Sequence, residues 1–550
     1  MSAEQTRNPS SLLGAAPAAV AWRQLLPSWP TIIFLAALLR AGATQALLND
    51  PDTYLHIAAG RWMLVHRALP FHDPFSHSLA SAPWVPHEWL AEIALAGAFG
   101  LAGWSGVILI TALGFAAAMA LLTRFLLRRG DPFVALVLAI SSLGLMVPHL
   151  LARPHILALP LMVVWCGESI AARDDNRMPT FWLLPIMAVW ANLHAGFMFG
   201  LALAAFLGVE ALLWPAAAGS GRSNAKHWGL FVCAAILSGL ATPNGVAGLV
   251  QPFRLVTMSS LQTAVIEWQA PRLPDAPMLE FWVLGALSAG LAFGLRLPLP
   301  RLLLVVGLLY LALGHARHAD LLAIVAPLAV TASLAPQVAT RLRGVPTSTL
   351  TQIFKRMAMP SAPRATALAV ALGALVCLPI ALRPIERAKD PATPAAALAA
   401  AEAMGVSGPV FNEFGFGGYL IFKGVPTFID GRMELYGNEF LDRYLAAHRG
   451  AQPALSELLD RYHIAWTFLS PDAGAVMQLD QLPGWRRAYA DDQAVIHVRD
   501  GAPRVDRSVS ERGNRRLDSS SADLQPRRAA PRQTVHTATT GSFIDDPSTR

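Results

Sequence analysis

Residues 30–56 read PTIIFLAALLRAGATQALLNDPDTYLH. The first part, 30–48, is apolar and close to the roughly 20 residues that a helix needs to cross a bilayer. Asn49–Asp50–Pro51–Asp52–Thr53–Tyr54–Leu55–His56 follows directly, so two carboxylates stand where the hydrocarbon ends. An uncompensated acid at that depth is costly, which makes Asp50 and Asp52 functional candidates by default. Asn-Asp-Pro is also good turn chemistry, and a solvated turn closing the first span is the plainer reading.

The rest of the chain supports a membrane setting. Of 550 residues, 54% are hydrophobic and only 14% charged, with a mean hydropathy of +0.43. Soluble domains carry about 25% charged residues. Spans are expected at 30–48, 101–124, 132–149, 155–172, 179–193, 196–215, 228–243, 278–296, 301–315, 319–336 and 365–384, about eleven in all by hydropathy. Residues 88–100 suit a helix lying at the interface. Arg7 and Arg23 precede the first apolar run, but no small-residue cleavage site clearly follows it, so it reads as a retained span. Cys166, Cys233 and Cys377 each sit in an apolar run and read as small buried hydrophobes.

The net charge of +7 is no sign of nucleic-acid binding, because the basic residues fall mainly in short loops and the tail. Arg124, Arg128, Arg129, Arg173, Arg177, Arg222, Lys226, Arg296, Arg301, Arg341, Arg343, Lys355, Arg356 and Arg364 occupy alternate loops, which places the N-terminus inside. Nearly every distinctive polar segment then lands on the opposite, outer face. These are the long loop 49–100, His149 with Arg153 and His155, Asn192 with His194, Thr242–Pro243–Asn244–Gly245, and His315–Ala316–Arg317–His318–Ala319–Asp320. A shared outward-facing cavity accounts for that grouping.

The long loop carries most of the chemistry. On a helix over 52–66, Asp52 and His56 lie one turn apart on one face. Trp84–Val85–Pro86–His87–Glu88–Trp89–Leu90 returns to the membrane, with Trp84 and Trp89 suited to the headgroup layer. An acid pair at one end and a His–Glu pair at the other are what a base acting on a hydroxyl, or a metal holding a phosphate, requires. His-Glu-x-x-His zinc chemistry is rejected, because Ala91 stands where the second histidine belongs.

A first outer loop opening on acids, on a protein of this many spans with a C-terminal outer domain, resembles the GT-C superfamily of membrane glycosyltransferases. The resemblance covers the spans and the first loop. It implies a polyprenyl-phosphate-linked sugar as donor, a glycan, lipid or protein acceptor, and a loop-one aspartate in catalysis, here Asp50 or Asp52. The second outer loop has Arg153–Pro154–His155 instead of a second Asp-x-Asp. No cofactor is demanded, and a divalent metal is left open.

Other candidates keep two readings. Glu88 is a second acid, or compensation for a helix N-terminus. His56 and His87 are ligands, proton relays or interface residues, and His194 lines a helix break that belongs in a cavity wall. Arg153, His155, His315 and His318 bind the donor phosphate, or snorkel to the interface. Strands are expected at 409–412, 427–430, 466–470 and 494–498, alternating with helices at 439–448 and 454–462, which makes 385–500 a small α/β domain. Within it Asp430 and Arg432 flank Gly431, to bind an acceptor sugar or to fix the loop. The segment 411–420 is a tight turn packing on the membrane domain.

The expectation is therefore a polytopic α-helical membrane protein, GT-C-like, with a small C-terminal α/β extracytoplasmic domain. Residues 1–29 are cytoplasmic, 30–384 transmembrane, 385–500 extracytoplasmic and 501–550 a disordered tail. The expected activity is transfer of a sugar from a polyprenyl-phosphate donor to an envelope acceptor on the outer face of a bacterial inner membrane. The competing class is a non-catalytic lipid or polysaccharide transporter or envelope-assembly protein.

Overall fold

A computed structural model describes residues 25–215, 221–260, 265–341, 348–385, 387, 390 and 392–503. The expected tail and most of the expected N-terminal segment lie outside them. The opening apolar run forms α1 (Trp29–Gly42), with proline in its first turn, where a missing N–H removes no helix bond. A 3-10 turn at Ala46–Leu48 leads into α2 (Asp52–His66), the helix expected to carry Asp52 and His56. Next comes α3 (Trp89–Arg129), 41 residues kinked at Ala102 and Gly103, where Gly103 adopts φ +58°. The backbone at Ala102 and Gly103 is not helical, so the two legs are separate helices in series, as expected for 88–100 and 101–124.

Helices meet the remaining expected spans: α4 (Pro132–Met146), α5 (Pro154–Asp174), α6 (Leu183–Leu193), α7 (Phe197–Leu213) and α8 (Gly221–Gly239). An unexpected α9 (Gly245–Val256) starts at the Pro-Asn-Gly break. Then follow α10 (Pro277–Phe293), α11 (Leu299–Gly314), α12 (Ala319–Arg341), a second unexpected and strongly amphipathic α13 (Thr349–Met357), and α14 (Pro363–Leu382). Five helices are long and apolar enough to cross a membrane, and shorter apolar helices accompany them. Large side chains such as Phe281, Leu291, Tyr310 and Leu375 are exposed on α10, α11 and α14. A surface of that kind is a liability in water and natural against lipid. The chain is a multi-pass helical membrane protein.

Small residues bring the backbones of the core helices together. Ala37 and Ala41 of α1 and Ala112, Ala116 and Ala118 of α3 are buried. A Cβ on Gly60 of α2 would fall 2.0 Å from the Glu92 carbonyl oxygen of α3. Only glycine permits that approach, and it is what carries His56 to Glu92.

The C-terminal part runs α15 (Ala395–Ala403), β1 (Val410–Asn412), α16 (Gly417–Phe422), α17 (Met433–His448), α18 (Ala454–Arg461), β2 (Trp466–Leu469), α19 (Gly474–Gln481), β3 (Trp485–Ala490) and β4 (Val495–Arg499). The strands form one mixed sheet in the order β1-β2-β4-β3, with β1 parallel to β2 and β4 antiparallel to both neighbours. Strand β3 escaped the sequence analysis because it is a half-exposed edge carrying Arg486 and Arg487.

The segment 427–430, expected as a strand of this sheet, instead pairs with the first loop. The Thr427 N–H donates to Phe75 O at 3.2 Å, and the His77 N–H donates to Thr427 O at 2.9 Å. Beneath this pairing Arg432 donates to Asp430 and to Asp73, both at 2.7 Å, while the Tyr436 hydroxyl also donates to Asp430. The Arg432 guanidinium lies 4.8 Å from the centre of the Trp84 ring, and Trp84 is buried under the domain. The backbone of 417–418 is pressed on the first loop as well: a Cβ on Gly418 would meet Pro51 O at 2.3 Å.

The Asp73 and Asp430 side chains are fully enclosed in this network, and that of Arg432 nearly so. Removing one member of a buried ion pair leaves the other charge uncompensated, at a cost of about 3–5 kcal/mol. Arg432→Ala is therefore expected to lower the melting temperature sharply and to expose 70–84 to protease. Wild-type melting and cleavage in that variant would contradict the role given to this network.

Candidate catalytic site

Asp50 precedes α2, where its Oδ1 accepts from the Asp52 N–H at 3.3 Å and its Oδ2 from the Thr53 hydroxyl at 3.4 Å. The turn is held against the start of α5: the Ala152 N–H donates to Leu47 O at 2.8 Å, and the Thr53 hydroxyl to Ala152 O at 3.2 Å. Arg153, extended as residues before proline are, caps α5 and projects into the turn. Its Nε and Nη2 reach the two oxygens of Asp50 at 2.6 and 2.7 Å. Nη2 also lies 3.2 Å from Asp52 Oδ2, and Nη1 donates to Glu267 at 2.5 Å. One guanidinium thus joins three carboxylates.

The two aspartates differ in surroundings. Asp50 is 1% exposed, so it is no solvated turn residue, whereas the Asp52 side chain keeps 27% of its surface. Burial alone would raise the Asp50 carboxyl. The bidentate Arg153 outweighs burial and holds it below the usual range. Desolvation by the surrounding protein pushes Asp52 up to about 6; Arg153 opposes the shift, while the neighbouring Asp50 charge adds to it. Two acids with titrations driven apart form the arrangement in which one stays an anion and the other exchanges a proton near neutrality.

A second group faces the first. His56 Nδ1 lies 3.2 Å from Glu92 Oε1 and 4.0 Å from Glu88 Oε2. Glu88, at the N-terminus of α3, lies 3.6 Å from His194 Nε2 and 4.0 Å from His87 Nε2. Burial works against a charged His56, yet the Glu92 hydrogen bond and the Glu88, Glu92 and Asp52 charges lift it to about 9. Burial would raise Glu88, and the facing histidines and Arg317 more than offset it, leaving its carboxyl below its usual range. His155 stands 3.7 Å from Asp320, with its ring 5.9 Å from that of His194.

Asp50, Asp52, His56, His87, Glu88, Arg153, His155 and His194 thus gather at one end of the helices. His315 and His318 each turn a ring nitrogen to a backbone carbonyl, Trp268 O at 2.7 Å and Leu311 O at 3.2 Å. Arg317, just before His318, is exposed and lies 4.3 Å over the Trp268 ring. Among the described residues no carboxylate pairs with it. Arg317 and Asp320 were missed as site residues inside a segment already singled out for its histidines. Glu92 and Glu267 gave no sequence signal. Asp430 and Arg432 do not join this group; they are the buried tie described above.

No three His, Cys, Asp or Glu side chains are grouped to hold a metal ion among the described residues. Both Asp50 oxygens already accept from Arg153, so a cation binding there would have to displace the guanidinium. At the opposite end of α3 and α5 a cavity of about 100 Å³ is lined by Arg128, Arg129, Glu168, Asp174 and Arg177. Its arginines are paired, Arg129 with Asp175 and Arg177 with Glu168.

No protein-family model matches the sequence, and no curated protein matches it. Among solved structures the chain is similar to ArnT from Cupriavidus metallidurans bound to undecaprenyl phosphate, at 12% identity and a TM-score of 0.47, over 88% of this chain and 98% of that one. The apo state of the same protein gives 12% and 0.45, over 87% and 98%. The apo oligosaccharyltransferase of Archaeoglobus fulgidus gives 12% and 0.48, over 80% of this chain and 69% of that one. At 12% identity the likeness assigns neither an activity nor a ligand.

Replacing Arg153 with Gln removes a cation that favours both anions, so Asp52 is expected to titrate above its value of about 6. Carbodiimide labelling of Asp52 across pH, read by mass spectrometry, measures this. An unchanged midpoint would contradict the pairing of Arg153 with Asp52.

Proposed function

We propose that the chain is a membrane glycosyltransferase that moves a sugar from a polyprenyl-phosphate donor to a hydroxyl acceptor. The observation that carries this reading is Asp52: a partly exposed carboxyl 3.2 Å from the paired Arg153, pushed up to about 6, whose charge is felt by Arg317, an arginine with no carboxylate partner among the described residues. Asp52 takes the proton of the acceptor hydroxyl as its oxygen bonds to the anomeric carbon. The bond from that carbon to the donor phosphate oxygen breaks, and the polyprenyl phosphate leaves with the electron pair. Arg317, aided by Arg153, offsets the charge gathering on the phosphate, as preorganised cations do at leaving groups. Asp50 remains an anion and holds Arg153. Direct displacement inverts the anomeric centre.

The arginine-rich loops support one orientation, because such loops favour the inner face. The acid cluster and the C-terminal domain then face outward, in a bacterial inner membrane. The acceptor is an envelope glycan, lipid or protein, and the residues named here supply the proton transfer and charge stabilisation.

A base must be ionised to act, so kcat is expected to rise with pH through about 6 and then level. The assay pairs radiolabelled polyprenyl-phosphate sugars with envelope glycolipid and protein acceptors, using the purified chain in nanodiscs. Asp52→Asn should lower transfer by about 10²–10⁴-fold and abolish the rise with pH. Wild-type transfer by that variant would end the catalytic assignment. No transfer by the wild type, with donor still bound, would favour the transporter reading.

A further inference from the structure

Asp52 belongs to the first loop, yet the C-terminal domain shapes the space around it. A Cβ on Gly431 would fall 2.2 Å from Asp52 Oδ1, 3.0 Å from its Cγ and 3.5 Å from Leu55 Cδ2. The Asp52 carboxylate therefore occupies the volume that any side chain at 431 would take. Gly431 is not among the glycines with positive φ, so its backbone does not itself call for glycine. The bare hydrogen at 431 serves the neighbour.

The segment around Gly431 is firmly held. The Arg432 N–H donates to Asp430 Oδ1 at 3.0 Å, and the Arg432 side chain ties Asp430 to Asp73 of the first loop. Gly417 backs onto the same strand of chain, where a Cβ would meet Ile429 O at 2.4 Å and the Asp430 Cα at 2.7 Å. Its neighbour Gly418 meets Pro51 O, one residue before Asp52. On the side of α5, Arg153 Nη2 stands 3.2 Å from Asp52 Oδ2. The carboxylate is thus confined between a guanidinium from the membrane helices and a glycine backbone from the C-terminal domain.

We propose that Gly431 is a positioning residue, through which the C-terminal domain seats the Asp52 carboxylate beside Arg153 in the orientation for accepting the substrate proton. This deepens the glycosyltransferase reading and rests on it for the step served. It makes the C-terminal domain part of the reaction centre, although that domain contributes no acid to the Arg153 cluster.

The test compares full-length wild type, Gly431→Ala and Gly415→Ala in nanodiscs. Gly415 lies in the same domain with no atom within 4 Å of an added Cβ. Two readouts are taken: the pH midpoint of carbodiimide labelling at Asp52, which needs no substrate, and kcat and KM for sugar transfer. The atoms that a methyl group at position 431 would meet are side-chain ends, so Gly431→Ala should melt with Gly415→Ala. Its Asp52 midpoint should move by about half a unit or more, since the distances to neighbouring charges change. Its kcat should fall about 10- to 100-fold with KM little altered, as a displaced catalytic group costs. Gly415→Ala should match wild type in both.

A Gly431→Ala midpoint coinciding with wild type overturns the proposal while leaving the glycosyltransferase reading standing. A lower melting temperature that accounts for the lost turnover overturns it too. A shifted midpoint in a chain that transfers no sugar supports the positioning and rejects the transfer reading.

Discussion

The site depends on one guanidinium. Arg153 donates to both oxygens of Asp50, touches Asp52 and donates to Glu267, so segments from three parts of the chain converge on a single planar group. Arginine suits this work because its donors are fixed in a fork and its charge does not vary with pH. Without it, three acids would face each other at the end of an apolar bundle, a placement that desolvation makes costly. The pairing also divides labour. Asp50, bound on both oxygens and buried, stays an anion, while Asp52, partly open and touched on one oxygen, titrates near neutrality.

The second constraint is the docking of the C-terminal sheet domain on the first loop. Backbone hydrogen bonds join Thr427 to Phe75 and His77, and below them Arg432 ties Asp430 to Asp73. Gly418 allows close backbone approach to Pro51 and Gly431 leaves room for the Asp52 carboxylate, where side chains would hold the two surfaces apart. On the other flank Gly60 lets α2 lie against α3 and brings His56 to Glu92. The first loop is therefore a layer clamped between helices and sheet.

Much of this was legible in the sequence, for physical reasons. Helices that cross a bilayer announce themselves by length and apolarity, so the expected spans all correspond to helices, and Asp50, Asp52, Glu88 and Arg153 stood out as costly polar residues at their ends. What escaped reading depends on contacts between distant segments. Glu267 sits in a 3-10 turn without periodicity, and its role exists only because Arg153 arrives there. Residues 427–430 have the apolar pattern of a strand, but their partner is a loop more than three hundred positions away. Asp430 and Arg432 looked like ligand-binding residues because charge beside glycine often is; burial shows them to be a tie. Trp84 looked interfacial for its chemistry and is covered by Arg432.

The central claim is that the donor phosphate belongs at the Arg153–Arg317 end of the helices. The most direct measurement is an electron cryo-microscopy structure of the chain in nanodiscs with a polyprenyl phosphate bound. Phosphate density is expected within hydrogen-bonding reach of Arg317, beside Asp52. Density instead in the cavity between Arg128, Arg129 and Arg177 at the opposite end would contradict it.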